Sequence, residues 1–302
     1  MFKKILIIGK GSSSLNHYKA LKKIKIKAEI THVSSRDFAK IFGKNYFKLL
    51  KLNPDYFIIC SPSIYHFKFI DLIEKNFTNK KILVEQPLFS KKEKGFKSLK
   101  NEYFIGYNLR HHPVLKYVKT YIKNKKIYFI NNNCSTYLPN WRKKNYSKTV
   151  SAQRKLGGGV KLELSHELDY LIWIFGNFKV LYSFNKKVSN LKIDCDDLLC
   201  MNCITNNNNT LINLTINFFS RISRRDLFIE GKNFSIFADL LNNKVELREF
   251  GRKKVISFKN FNIEKSYMLE NQEILNGKYK NNCTFEEAIN LQKTINKIKT
   301  SV

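Results

Sequence analysis

The segment over residues 3–21, KKILIIGKGSSSLNHYKAL, restricts the fold more than any other stretch of the chain. Its apolar run Ile5–Ile8 reads as a short buried strand, stops at Gly9-Lys10-Gly11 and three serines, and gives way to Leu15, Tyr18 and Leu21 at helical spacing. Strand, tight turn and helix in that order begin a parallel β-α-β unit. Gly9 can take a positive φ at the turn without steric cost, and Gly11 has no Cβ to keep a phosphate off the backbone. A helix starting at Ser12 and Ser13 would aim its free N–H groups and positive dipole end at such a phosphate. The third position of a G-x-G-x-x-G frame is Ser14, small enough for close helix–strand packing. Glycine-rich turns also follow strands where no nucleotide binds, so a plain βα turn is the alternative.

The alternation continues downstream. Residues 27–33 (KAEITHV) predict a second strand that ends in Ser34, Ser35, Arg36 and Asp37, and Phe38, Ile41 and Phe42 predict a helix. A further strand over 56–60 runs into Ser61, Pro62 and His66, and a helix follows over about 67–76. The strand over 81–84 stops at Glu85-Gln86-Pro87-Leu88, and that over 103–107 at Asn108, Arg110 and His112. Parallel units of this kind collect ligands at the carboxyl ends of their strands, where every one of these polar clusters lies. Small hydroxyl side chains followed by arginine suit a ribose 2′-phosphate better than a free 2′-hydroxyl, so Ser34, Ser35 and Arg36 lean towards NADP over NAD, with Arg36 as a mere loop cap the alternative.

Composition narrows the class. A chain of 302 residues with 43% hydrophobic content has room for two domains with real cores. No apolar segment approaches the roughly 18 residues of a membrane span, and the first apolar run is too short for a secretory core, which predicts a cytoplasmic protein with no membrane partner. The formal charge of +31 would suit a nucleic-acid binder, but the lysines are scattered in ones and twos with no zinc-finger or RNA-recognition spacing, so no specific nucleic acid is expected. Cys200 and Cys203 lie in a strand-like run, where residues three apart face opposite sides, and no metal site is expected.

Gly157-Gly158-Gly159 introduces a helix predicted over 160–175, on which Glu163 and His166 share a face. The pattern then changes to successive strands over 180–184, 197–205, 210–219, 224–230, 234–239, 243–250 and 254–258, closed by a helix over 285–298. The fold class is therefore α/β: a Rossmann-like parallel sheet domain over 1–107, followed by an α+β domain with a largely antiparallel sheet over 108–302. The loop-like stretch over 137–154 is dense in aromatic, basic and hydroxyl residues, a mixture suited to a polyol or sugar, with Trp141 and Arg142 as candidate contacts. A tryptophan that only anchors the loop is the alternative.

Five blocks occur together in order: Gly9-x-Gly11-x-x-Ser14-x-x-His17-x-x-Ala20-Leu21, Ser61-Pro62 with His66, Val84-Glu85-Gln86-Pro87-Leu88, Gly157-Gly158-Gly159, and Leu164-Ser165-His166-Glu167-Leu168-Asp169. Together they resemble the Gfo/Idh/MocA family of NAD(P)-dependent oxidoreductases over nearly the whole chain. The resemblance implies a cytoplasmic enzyme and homo-oligomer that moves a hydride between NADP or NAD and a hydroxyl or keto carbon. It implies cofactor contacts from Gly9, Gly11, Ser12, Ser13, Ser34, Ser35, Arg36, Ser61, Pro62, His66, Glu85 and Gln86. It further implies His166 as proton acceptor, with Glu163 where the family often has aspartate and Gln86 where it has lysine. The segments 108–113 and 137–154 resemble members from surface-polysaccharide and nonulosonic-acid pathways. That implies a sugar, nucleotide sugar or sugar acid as substrate, contacted by Asn108, Arg110, His112, Trp141, Arg142 and His166. Glutamine brings no charge to steady an alkoxide. His166 acting alone, Lys161 supplying the charge, and a catalytically silent cofactor-binding regulator or scaffold are the three ways to read Gln86; a nucleic-acid binder is the more distant rival.

Overall fold

The computed structural model describes residues 3–24, 27–36, 51–93, 95, 96, 98–141, 145–207 and 209–298. Asp37, the helix expected around Phe38, Ile41 and Phe42, and Arg142 lie outside the described residues. In chain order the elements begin β1 (Lys3–Ile8), α1 (Ser12–Lys23), β2 (Ala28–Val33), β3 (Tyr56–Ile59), α2 (His66–Asn76), β4 (Lys81–Glu85), β5 (Glu102–Gly106), α3 (Pro113–Tyr121) and β6 (Ile127–Tyr137). They continue with α4 (Val160–Glu163), α5 (His166–Phe175), β7 (Phe178–Lys186), β8 (Leu198–Thr205), β9 (Leu211–Asn217), β10 (Phe219–Gly231) and β11 (Phe234–Asp239). The last are β12 (Lys244–Glu249), β13 (Arg252–Ser257), α6 (Ile263–Asn276), β14 (Cys283–Thr284) and α7 (Phe285–Lys297).

Two units result, one of Met1–Asn108 with Ile263–Ile289 and one of Leu109–Asn262 with Asn290–Val302. The sheet of the first runs β14-β5-β4-β3-β1-β2, with β1 to β5 parallel and β14 antiparallel at the edge. From β1 the chain steps to β2 on one side and then returns to β3 on the other, so the strand order reverses at β1 and β3. A reversal of this kind opens a crevice beyond the strand ends. β3 is buried along its whole length, and Ile5, Ile7, Ile58, Leu83 and Phe104 form one core with Leu21 of α1, Ile24 at its C-cap, and Ile274 and Leu275 from α6.

That core corrects a boundary at residue 107 with everything later in a second domain. Helix α6, β14 and the start of α7 belong to the nucleotide unit, because α6 supplies Ile274 and Leu275 to its core and Tyr56 Oη donates to Asn271 Oδ1 at 3.0 Å.

The sheet of the second unit runs β13-β12-β11-β10-β6-β9-β8-β7, antiparallel throughout except for β6 on β9. Strands β7 to β13 lie where alternation in the sequence puts them, whereas β6, whose polar run Asn131-Asn132-Asn133 hides the period, was not anticipated. Cys203 is buried and Cys200 is not, as opposite faces of one strand require. The single helix expected over 160–175 is two helices, broken at Leu164 and Ser165. The glycines before it are fixed by packing: a Cβ on Gly158 would run into the Val150 carbonyl, and one on Gly159, at φ +116°, would lie 2.5 Å from Asp196 Oδ1. Among the described residues no helix is long and apolar enough to cross a membrane.

Candidate active site

At the strand reversal of the first unit, Gly9 sits at φ +131°, and a Cβ there would overlap the Cys60 carbonyl. Only glycine lets the turn pass this close to the end of β3. The Gly9 N–H donates to Val33 O at 2.8 Å and His32 Nε2 lies 2.5 Å from Gly9 O, which ties the turn to the end of β2, where Ser34 and Ser35 are half-buried and Arg36 is exposed. Gly11 is the N-cap of α1 with open space where a Cβ would stand, and no side chain caps the first turn. Ser14 turns inward, donating from Oγ to Gly11 O at 2.8 Å. An uncapped helix start with room beside it fits the diphosphate of a dinucleotide, held by the backbone N–H groups of Ser12 and Ser13.

Next to this turn, His66 joins two of the expected loops. Its Nε2 is 2.9 Å from Ser61 O, and its Nδ1 is 3.1 Å from Pro87 O and 3.2 Å from Leu88 O. Burial pushes this imidazole below its ordinary value, although the carbonyls work the other way. Ser61, Pro62, Glu85 and Gln86 are thereby held at the ends of adjacent strands β3 and β4. Glu85 accepts from His17 at 2.9 Å and from the Gln86 N–H at 3.3 Å.

His17, Cys60 and Glu85 place three ligand-type atoms within 4.8 Å of one another, a donor set that would suit zinc. The surrounding bonds oppose it. Asn271 Nδ2 donates to Tyr267 O at 2.8 Å and to His17 Nδ1 at 2.9 Å, so the imidazole proton sits on Nε2, the atom a metal would need. A metal-binding histidine ordinarily donates from its other nitrogen. Burial and the neighbouring Glu85 also push the Cys60 thiol well up, away from the thiolate a metal prefers.

In the second unit, Glu163 ends α4 and His166 begins α5 across the break. Ser151 Oγ donates to Glu163 Oε2 at 2.5 Å. Close enough to His166 to act on it electrostatically, half-buried Arg225 pairs with buried Glu167, its Nε donating to Oε1 at 2.6 Å and its Nη2 to Oε2 at 3.2 Å. Burial first, and then the Arg225 charge, push the His166 imidazole down to about 3. At neutral pH the ring is therefore in the uncharged form that can accept a proton. Lys161, the other candidate for the charge that Gln86 lacks, donates from its ammonium to Ile298 O at 3.1 Å.

The expected substrate contacts have protein partners in this structure. Asn108 Nδ2 donates to Ser266 Oγ at 3.0 Å within the first unit. Arg110 forks onto Asp169 through Nε (3.0 Å to Oδ2) and Nη2 (2.7 Å to Oδ1), both side chains buried. His112 caps α3, accepting from the Val114 N–H and lying 3.2 Å from Leu240 O. Trp141 donates from Nε1 to Thr136 Oγ1 at 2.7 Å and meets Phe218 edge-on. Residues missed in the sequence are Tyr56, which donates to Asn271, and Tyr267 and Asn271, which touch His17. No local signal marks the last two, since Asn271 is 254 positions from the histidine it contacts.

The buried histidines set a pH dependence of stability. Burial lowers His112 from 6.5 to about 4, and His166 reaches about 3. Below about 6.5 the unfolded chain takes up protons that these folded rings refuse, so stability is full at neutral pH and falls as pH drops, by about 1.4 kcal/mol per unit for each ring. We expect a lower urea midpoint at pH 5 than at pH 7, with His112→Asn, which keeps a capping oxygen, reducing the drop. Equal midpoints at the two pH values would contradict this.

No family model and no curated protein matches the sequence. Solved structures match in fold. Levoglucosan dehydrogenase in complex with NADH and levoglucosan aligns with a TM-score of 0.80 at 13% identity, over 99% of this chain and 96% of that one. The WlbA dehydrogenase from Bordetella pertussis, in complex with NADH and UDP-GlcNAcA, aligns with a TM-score of 0.78 at 15% identity, over 98% and 95%. A super-repressor mutant of Gal80p from Saccharomyces cerevisiae aligns with a TM-score of 0.78 at 14% identity, over 99% and 95%. The reversal of strand order at β1, the bare helix start after Gly9 and Gly11, and these alignments together give the chain the fold of the Gfo/Idh/MocA-type oxidoreductases.

Proposed function

We propose that the chain is a nicotinamide-dependent oxidoreductase that transfers a hydride between NADP or NAD and a hydroxyl or keto carbon of a sugar, nucleotide sugar or sugar acid, in surface-glycan biosynthesis. The observation that carries this is the uncapped start of α1 at the strand reversal, with open space beside Gly11. The bound cofactor supplies the hydride acceptor or donor at its nicotinamide ring. His166, uncharged at neutral pH, takes the hydroxyl proton as the hydride leaves, and Glu163 orients the substrate. Gln86 hydrogen-bonds the reacting oxygen in place of a lysine, and Ser34, Ser35 and Arg36 favour a 2′-phosphate. The NADH-bound dehydrogenases of the same fold support the cofactor class, and the UDP-GlcNAcA in one of them supports the substrate class. Exposed Leu181, Tyr182, Leu211, Phe237 and Val255 on the second sheet support self-association into a homo-oligomer.

Fluorescence titration tests the cofactor. NADPH is expected to bind at sub-millimolar levels and more tightly than NADH, and binding of neither would end the enzyme reading. The second reading, a silent cofactor-binding regulator, is favoured by Gln86 and by the Gal80p fold. Gln86→Lys separates the two. A site adapted to glutamine gains nothing in turnover from the lysine, whereas a large gain would favour the regulator.

A further inference from the structure

The hydrogen bonds around His17 form a chain whose direction is fixed at every link. A backbone carbonyl can only accept, so the contact with Tyr267 O identifies the Asn271 amide nitrogen. The Asn271 oxygen then faces Tyr56 Oη, which donates to it at 3.0 Å. The second amide hydrogen goes to His17 Nδ1, which must accept. The ring proton is therefore on Nε2 and is donated to Glu85 Oε1 at 2.9 Å, while Glu85 Oε2 takes the Gln86 N–H. Reversing the tautomer would strand a buried amide hydrogen and turn a lone pair onto a carboxylate. Such a buried network is costly unless fully satisfied, and fully satisfied it admits one arrangement.

Four elements meet in it: α1 through His17, β3 through Tyr56, β4 through Glu85 and α6 through Asn271. The ring of Tyr267 stands edge-on to His17 at 4.9 Å. Gly106 leaves the space, since a Cβ there would lie 3.1 Å from Glu85 Oε2. Glu85 itself is almost buried, and among the described residues its ion-pair partner is His17 alone, which this tautomer leaves uncharged. A carboxylate with two N–H donors and no lysine or arginine retains acceptor capacity. It repels phosphate and accepts from hydroxyls.

We infer that His17, locked by Asn271 and Tyr56, is a positioning residue that holds the Glu85 carboxylate as an acceptor for a ribose hydroxyl of the bound dinucleotide and fixes the backbone at Gln86. This deepens the proposed function and rests on it for the ligand. Asn271 and Tyr56 act through His17, and α6, though distant in sequence, is thereby part of the cofactor site.

Full-length chain carrying His17→Phe, His17→Gln or Asn271→Leu would be compared with the native chain for reduced-dinucleotide affinity, thermal midpoint and the nitrogen NMR signals of His17. The native ring is expected to carry its proton on Nε2. His17→Phe and Asn271→Leu should weaken binding about tenfold or more, and His17→Gln, whose amide can still donate to Glu85, should recover most of it. If His17→Phe does not fold, the Gln and Leu variants carry the comparison. A proton on Nδ1, or undiminished affinity in a folded His17→Phe or Asn271→Leu chain, would overturn the inference. Loss of midpoint without loss of affinity would reduce the network to a structural role and overturn it as well. A native chain that binds neither dinucleotide would instead sink the proposed function, while the NMR result still judges the tautomer.

Discussion

Arg110→Met is expected to destabilise the second unit by about 3–5 kcal/mol, because it strips a buried carboxylate of its fork-shaped partner. Asp169 is buried and receives both Nε and Nη2 of Arg110, so removing the guanidinium takes two charge-assisted donors from a carboxylate held away from solvent. The loss comes mainly from the stranded charge, so the double replacement Arg110→Met with Asp169→Leu should recover most of it. Two apolar side chains can fill the space beside Trp173, over which the guanidinium now lies at 5.9 Å. Urea denaturation followed by tryptophan fluorescence measures both. A single variant within about 1 kcal/mol of native would show that the pair is hydrated or dispensable.

His166→Asn should lower kcat by about 10²- to 10⁴-fold, the range expected when a proton acceptor is removed, while dinucleotide affinity stays within about twofold. His166 is not among the residues proposed to hold the dinucleotide, so the two readouts separate proton acceptance from cofactor binding. With the native ring at about 3, turnover should not fall on the acid side until well below the 6.5 of an unperturbed imidazole. Arg225→Gln would remove the nearby charge and leave Glu167 buried without its partner, so the ring should rise and the acid limb of the profile should move up with it. Steady-state rates with NADP and a panel of sugars and nucleotide sugars provide the readout. A loss under tenfold for His166→Asn, or an acid limb near 6.5, would remove His166 as the acceptor.

Much of the first sheet was legible because its strands obey one rule. Strands such as Tyr56–Ile59 are buried on both faces and so are apolar without interruption, and Gly9 breaks the first of them abruptly. Strands β7 to β13 were legible through alternation. What local pattern could not show was the cost of each break. Glu163 and His166 read as one helical face, but packing against Val150, Ser151 and Asp196 fixes the glycines before α4, and the helix breaks two residues before α5 begins. Strand β6 escaped notice because its middle is a run of asparagines, one of which, Asn132, is wholly buried and accepts from Tyr170 Oη at 2.6 Å.

By itself the sequence determined the β-α-β start, the glycine-lined turn and the change from parallel to mostly antiparallel strands, because these depend on neighbours within a few positions, whereas the residues proposed for chemistry came from the family resemblance. Only the tertiary structure decided that α6 returns to the first sheet, that Asn271 sets the tautomer of His17, and that Arg110 and His112 are bound to Asp169 and to the cap of α3. Those outcomes turn on which buried donor meets which acceptor across long separations, and a hydrogen bond between positions 17 and 271 leaves no periodic trace in the chain.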